Sequence, residues 1–254
     1  MKTIAGSLLL AGSLMLGGRQ DMGPSVTVSG LSPSFIQYTY VSDTNGTWSA
    51  TITSPSISIG PDELIVVYCH SATTDNDTSG LPTVPVTANY NGSSFTVTGV
   101  YGTVTYNDGQ MNYLYLGSGT PNTTSTFTCT PNSSSGYQGM VVLEFATPGA
   151  TLNTSSINAA TSANSFTTSA FSTTAAPTLN VFCMGGTGEN GAFAAGEIAG
   201  VPATLVGVDQ PYLTSDAMIG CEWNTSSGLI SSGTGSMSNG MTTSWVGALA
   251  SFTY

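Results

Sequence analysis

The side chains best able to do chemistry in this chain are one histidine, four cysteines and a few carboxylates inside apolar segments. His70 is the only imidazole, and it directly follows Cys69 at the end of an apolar run. A Ser-His-Asp triad would have to use His70, yet the sequence contains no G-x-S-x-G nucleophile motif. A histidine that ends a strand beside a turn commonly has a structural role. We therefore expect His70 to be structural.

Two glutamates lie within apolar, strand-like segments, Glu144 in MVVLEFA and Glu222 in MIGCEWN. Burial there would raise the pKa of each carboxyl, and two such groups are enough for glycosidase chemistry. Alternatively both side chains point out of their strands into solvent. We favour the outward orientation, and we expect the protein not to be an enzyme.

Oxygen-bearing side chains at alternate positions of an acidic turn could bind calcium. Asp75, Asp77 and Ser79 precede Gly80 in the manner of the first half of an EF-hand loop, but Val86 stands where the bidentate glutamate should be. A solvated turn is therefore the favoured interpretation, and no other cofactor is expected. The segment 186–191 fits G-x-G-x-x-G, but glycines and a proline follow where a dinucleotide-binding fold needs a helix. That segment is interpreted as a loop.

The cysteines Cys69, Cys129, Cys183 and Cys221 each lie in a strand-like context, and none forms a C-x-x-C pair. A zinc or redox motif is therefore not indicated. Buried free thiols and two long-range disulfides both stay open, with three pairings allowed. We favour at least one disulfide if the chain is secreted.

The charge content excludes several classes of function. Charged residues make up 6% of the 254 residues, the net charge is -11, and the only basic residues are Lys2 and Arg19. Binding to nucleic acid, to anionic membranes or to transferring phosphoryl groups needs Lys or Arg. A chain of this composition is typical of an exterior protein: secreted, on a cell surface or part of a virion.

The N-terminal segment, residues 1–24, has two interpretations. Lys2 followed by a run of Leu and small residues fits a secretory signal peptide, although a clean cleavage site is missing. The repeated AGSLxL unit instead suits an extended arm that adds to a partner's sheet. The docking side chains of such an arm would be Ile4, Leu8, Leu10, Leu14 and Leu16. The segment is too short and too glycine-rich to predict a membrane span.

From residue 25 onward the sequence alternates short apolar runs with turn signals. The densest run, Leu64 to His70, has strand length and apolar residues throughout, so it predicts a central strand buried on both faces. About fifteen such runs predict an all-β fold for residues 25–254, an antiparallel β-sandwich that is jelly-roll-like. A division into two smaller sandwiches near residues 148–163 is the alternative. Ala192 to Ile198 could form one or two helical turns.

Five stretches taken together resemble a known family. They read DELIVVYCHS, VTANYNGSSFT, MNYLYLGSGTPNTTSTFTCTP, GMVVLEFATPGA and SWVGALASFTY. In this order they look like the β-sandwich of bacteriophage structural proteins and bacterial extracellular proteins, over roughly residues 35 to 254. Asn91-Gly92 replaces the usual glycine pair of one hairpin. The resemblance implies an exterior structural or adhesive role, and it transfers no catalytic residue.

We therefore expect a non-enzymatic structural protein of a virion exterior, such as a capsid decoration, head fibre or tail-associated protein, docked through its N-terminal arm. Its expected partners are other virion proteins and further copies of itself, with surface glycans as a further option. The alternative is a secreted or cell-surface module for carbohydrate binding or adhesion, with a cleaved signal peptide. In that case Trp48 and Trp223 are the candidates for stacking on a sugar.

Overall fold

A computed structural model describes residues 32–42, 51–72, 86–90, 93–96, 99–104, 107–119, 121–129, 137–187, 192–209 and 217–254. This part of the chain forms seventeen β-strands. In chain order they are Ser34–Ser42 (β1), Ile52–Thr53 (β2), Ile57–Ile59 (β3), Glu63–Ala72 (β4), Val86–Tyr90 (β5), Ser93–Thr96 (β6), Gly99–Val104 (β7), Asn107–Leu116 (β8), Thr123–Cys129 (β9), Tyr137–Ala146 (β10), Thr151–Thr167 (β11), Thr178–Thr187 (β12), Ala194–Ile198 (β13), Val201–Pro202 (β14), Thr204–Asp209 (β15), Ala217–Ser226 (β16) and Gly235–Thr253 (β17).

The middle layer is a five-stranded antiparallel sheet in the order β1-β10-β4-β8-β7, so β4 lies at its centre. The side chains of β4 alternate between two separate cores. Leu64, Val66 and Tyr68 enter one core, whereas Ile65 and Val67 enter the other. The prediction that this run forms a central strand buried on both faces is therefore confirmed.

A small sheet covers one face of the middle layer. It has the order β2-β9-β5-β6, and β3 also pairs with β9. Isoleucines of β2 and β3 and Phe127 of β9 pack there against Ile65, Val67 and Met140. A disulfide between Cys69 of β4 and Cys129 of β9 joins the two sheets inside this core.

A larger sheet covers the other face of the middle layer. Its strands follow the order β14-β13-β17-β12-β16-β15, and β11 also pairs with β17. Leu179, Val181, Ile219 and Phe252 are among the side chains that meet the middle sheet. The second disulfide joins Cys183 and Cys221, which are direct cross-strand partners in β12 and β16. All four cysteines are thus bonded, and free thiols are excluded.

The outer face of the larger sheet has an apolar cluster of its own. Phe182, Met184 and Trp245 point outward from the sheet and are covered by Phe166 and Phe193 from the flanking segments. The β13–β14 hairpin contributes Ile198 to this cluster. The hairpin is therefore packed onto the sheet rather than projecting from it.

The all-β sandwich prediction is confirmed, with a third layer beyond the two sheets of a jelly roll. The helical expectation for Ala192 to Ile198 is wrong, because β13 occupies this segment and pairs with both β14 and β17. Among the described residues, no helix is long and apolar enough to cross a membrane. The N-terminal arm lies outside the described residues.

Candidate functional site

Glu144 belongs to a pair of carboxyls at one end of the middle sheet. It lies on β10, and Glu63 lies on the adjacent strand β4, two residues from Glu144's register partner Ile65. Gln37 Nε2 donates a hydrogen bond to Glu144 Oε2 over 2.6 Å, and the amide of Gly60 donates to Glu63. Glu144 is only 2% exposed. The outward orientation favoured from the sequence is therefore wrong for Glu144.

Burial raises the pKa of Glu144 from 4.5 to about 7; the Gln37 hydrogen bond opposes this rise, and contact with Glu63 adds to it. A second carboxyl nearby favours the protonated form of a carboxyl. The hydrogen-bond donors at these two carboxyls are the Gln37 side chain and the Gly60 amide, and both belong to the scaffold.

Glu222 is buried on the outer face of the larger sheet, so the outward orientation is also wrong here. Its exposed fraction is 0%, and its register partners are Phe182 on β12 and Leu205 on β15. Oε2 accepts a hydrogen bond of 2.8 Å from the amide of Gly196 in β13, while Oε1 has no donor among the described residues. Burial raises its pKa from 4.5 to about 7, and the Gly196 hydrogen bond opposes the rise.

A row of polar side chains crosses the larger sheet beside Glu222. Ser251 Oγ donates to Asn180 Oδ1 over 2.7 Å, and Asn180 Nδ2 donates to Asn224 Oδ1 over 3.0 Å. Asn224 Nδ2 then donates to the carbonyls of Ile198 and Val201, at either side of the β13–β14 turn. Glu222 and Asn224, two residues apart on β16, therefore both form hydrogen bonds to the backbone of the β13–β14 hairpin. This arrangement fixes the hairpin against the sheet and is structural.

His70 lies between the middle and the larger sheet and is only 1% exposed. Its ring packs on Gly185 of β12, where an added Cβ would lie 2.6 Å from His70 Cγ. The neighbouring inward side chain, Tyr68, donates from its hydroxyl to the Val246 carbonyl over 2.6 Å. His70 is thus a buried residue that packs between the two sheets, and β4 continues beyond it to Ala72 rather than ending at it.

Several predicted site residues lie outside the described residues. They are the calcium candidates Asp75, Asp77 and Ser79, the arm residues Ile4, Leu8, Leu10, Leu14 and Leu16, and Trp48. Within the described ranges, no group of three or more His, Cys, Asp or Glu side chains could hold a metal ion. The calcium, arm-docking and Trp48 roles stay predictions.

The most accessible aromatic surface lies on β1. Tyr38 and Tyr40 are 43% and 50% exposed, and their rings stack with centroids 6.4 Å apart. Behind them, Phe35 lies 6.5 Å from Tyr38 and makes an edge-to-face contact with Phe145 at 5.6 Å. Phe145 makes the same kind of contact with Trp223. These five rings form a continuous row from the edge of the sheet into the core; we call it the aromatic row.

Trp223 is at the inner end of the aromatic row. The side chain is half-buried and packs against the core between the middle and larger sheets. Its Nε1 is buried without an acceptor among the described residues. A sugar-stacking role for Trp223 stays a prediction, but the exposed rings in this row are those of Tyr38 and Tyr40.

The sequence did not indicate Tyr38, Tyr40, Glu63 or Asn180 as candidate site residues. For the two tyrosines a signal was present, because Tyr-Thr-Tyr places two aromatic side chains on one face of a strand. Alternation alone suggests that this face is buried. In the structure Gln37 and Thr39, on the other face, are the more buried pair.

Comparison of the whole chain with protein-family models, curated proteins and solved structures found no match. The class of protein that the structure itself defines is a disulfide-bonded, all-antiparallel β-sandwich of three layers.

Proposed function

We propose that this chain is a non-enzymatic structural protein of a virion exterior, docked to the particle through its N-terminal arm. The observation that supports the exterior location in this proposal is the pair of buried disulfides. One joins two sheets and the other joins two neighbouring strands, so both act on the scaffold. Structural disulfides persist in oxidising surroundings such as virion and cell surfaces and secreted fluids.

The surroundings of the candidate catalytic groups also support a structural role. His70, Glu144 and Glu222 are all at most 2% exposed, and packing or hydrogen bonds from distant strands hold each of them. A group that acts on a substrate has to come within hydrogen-bond reach of it. The exposed side chains of the described residues instead include aromatic rings and hydroxyl groups, which suit a surface that contacts another molecule.

The N-terminus of the mature protein tests this function. Intact-mass measurement of the protein, purified from its native source, should find Met1 to Gly18 retained and the protein in the particle fraction. A chain that begins after residue 18, recovered free in the medium, would overturn the virion function and support secretion. The disulfides cannot separate these outcomes, because both compartments are oxidising.

A second candidate function is a secreted or cell-surface module for carbohydrate binding or adhesion. The exposed ring pair of Tyr38 and Tyr40 favours it, because aromatic faces stack on sugar rings. A glycan array probed with the wild type and with Tyr38→Ala, Trp48→Ala and Trp223→Ala tests it. Binding that is lost in one of these variants would support the module, and the absence of any signal from the wild type would count against it.

A further inference from the structure

Among the described residues, β1 is an edge strand of the middle sheet, and it lacks most of the features that usually protect a sheet edge. It is the first strand of the middle sheet, with β10 as its neighbour, and its sequence is SFIQYTYVS. Natural proteins guard exposed edges with lysines, prolines, inward charges or bulges. Here β1 has one bulge near Ile36 and neither a charged residue nor a proline within its nine residues. Such an edge is a template for pairing with another strand.

The side chains along β1 add apolar contact to that edge. Ile36, Tyr38 and Tyr40 are all at least 43% exposed and occupy alternate positions. They make up half of the large hydrophobic side chains that are exposed among the described residues; the others are Leu152, Val201 and Leu229. Aromatic and β-branched residues are the ones that stabilise cross-strand pairs. Backbone and side chains of β1 therefore favour the same type of partner, a β-strand.

The charge of the chain restricts where two copies can meet. Each copy carries a net charge of -11, which opposes association overall, so a contact between copies is least unfavourable where it contains no charged side chain. On β1 no side chain is charged, and the nearest buried carboxyl, Glu144, lies under Gln37 on the opposite face from Tyr38. An uncharged strand can pair with its own copy without placing like charges opposite each other.

The sequence of β1 is also compatible with pairing to itself. A twofold axis through the strand centre, Tyr38, runs the two strands antiparallel and places Tyr40 opposite Ile36 of the second copy. These are aromatic–aromatic and aromatic–β-branched pairs. We propose that two copies of this protein dimerise through β1, which joins their middle sheets into one continuous ten-stranded sheet. The proposal rests on the structural function proposed above, since a structural protein assembles from copies.

The oligomeric state of the full-length chain tests the dimer. Light scattering after gel filtration should give a dimer for the wild type. Tyr38→Lys, which introduces an edge lysine, should weaken dimerisation tenfold or more, because two ammonium groups would meet at the axis. Leu229→Lys is the matched control, since Leu229 is 66% exposed and lies outside every strand, and it should remain dimeric. Far-UV circular dichroism and thermal unfolding establish that each variant is folded.

A cysteine cross-link reports the contact directly. All four native cysteines are in disulfides, so Tyr38→Cys introduces the only free thiol. The folded variant should form a covalent dimer under mild oxidation, whereas Leu229→Cys should stay monomeric on a non-reducing gel.

Two results would overturn the β1 dimer: a monomeric wild type, or a dimer that Tyr38→Lys leaves unchanged. A monomeric wild type whose glycan binding is abolished by Tyr38→Lys would in addition assign β1 to a sugar. A cleaved N-terminus combined with a persistent β1 dimer would instead refute only the virion function.

Discussion

Glu222 should make the folded protein more stable in mild acid than at alkaline pH. Its carboxyl is fully buried, and its pKa rises from 4.5 to about 7 on folding because burial disfavours the charged form. Between these two values the folded state holds a proton that the unfolded state releases. Raising the pH therefore favours unfolding. The stabilisation is fully present below pH 4.5 and is lost as the pH rises through about 7.

The size of the effect follows from the same two pKa values. Each pH unit between them is worth about 1.4 kcal/mol, so the interval amounts to about 3 kcal/mol in the free energy of unfolding. The glutamine variant Glu222→Gln has nearly the same shape, and its amide oxygen can still accept the hydrogen bond from Gly196. It carries no charge at any pH. Near pH 4.5 the variant and the wild type should therefore differ by about 1 kcal/mol or less.

The assay is urea denaturation of both proteins at several pH values from about 4.5 to about 8. The quantity to compare is the difference in unfolding free energy between Glu222→Gln and the wild type. It should rise by about 3 kcal/mol across the range, in favour of the variant. Other titrating groups, including Glu144, are common to both proteins and cancel. Glu197→Gln, in the exposed part of the same hairpin, is the control and should follow the wild type.

Parallel pH profiles for Glu222→Gln and the wild type would refute this reasoning. They would mean that the carboxyl stays as well solvated in the folded protein as in the unfolded chain. A variant less stable than the wild type by the same amount at every pH would have the same meaning. It would add that the glutamine amide cannot replace the carboxyl at Gly196.

Three further predictions concern the packing of the sheets. Gly196→Ala should lower the unfolding free energy by roughly 1–3 kcal/mol in urea denaturation, because a Cβ there would collide with the Ser236 carbonyl; unchanged stability would show that the hairpin moves aside freely. Gly185→Ala should cost a similar amount by the same assay, because its Cβ would meet the His70 ring; a variant as stable as the wild type would contradict the tight packing of the two sheets. Thiol titration of the denatured, unreduced protein should find no free cysteine. The two disulfides close loops of 60 and 38 residues, and reduction of either one should lower the free energy of unfolding by about 4 kcal/mol. Titratable thiols in the unreduced protein would contradict the bonding pattern.

The parts of the fold that could be predicted from sequence are those with strong local patterns. β4 was predictable because a run of apolar residues at strand length is consistent with burial on both faces. β11 was not, because residues 151–167 are rich in Ser, Thr and Asn and show no apolar alternation. That strand forms because it pairs along most of its length with β17, from Thr151 opposite Thr253 to Thr167 opposite Ser236. Long-range pairing of this kind leaves no local signal.

The candidate site was predictable only in its chemistry. Apolar neighbours indicated Glu144 and Glu222 as the best candidates for a raised pKa, and burial does raise the pKa of both. Their orientation depended on hydrogen-bond donors that no local pattern reveals: Gln37 is 107 residues from Glu144, and Gly196 is 26 residues from Glu222. Because the sequence indicated no hydrogen-bond donor for either carboxylate, solvent was their expected partner. The outward orientation predicted for both side chains was wrong.

Each of the two buried glutamates, Glu144 and Glu222, lies beside a β-bulge. This shared position explains why a chain with so few charged residues has these two in its interior. In β1 the pairing with β10 shifts between Phe35 and Gln37, and in β13 the pairing with β17 shifts between Ala195 and Ile198. A bulge leaves backbone or side-chain groups without their ladder partners. Next to each bulge a glutamate accepts a hydrogen bond, from the Gln37 side chain in one case and from the Gly196 amide in the other.

Each glutamate therefore fixes the register of a strand at the margin of its sheet, where pairing from one side alone specifies register weakly. For β1 the consequence reaches the surface. Because Gln37 is held inward by Glu144, the alternation of the strand turns Tyr38 and Tyr40 outward. The hydrogen bond between Gln37 and Glu144 and the exposure of Tyr38 and Tyr40 therefore depend on the same register of β1. The surface that β1 presents to a partner is set by a hydrogen bond that the partner does not contact.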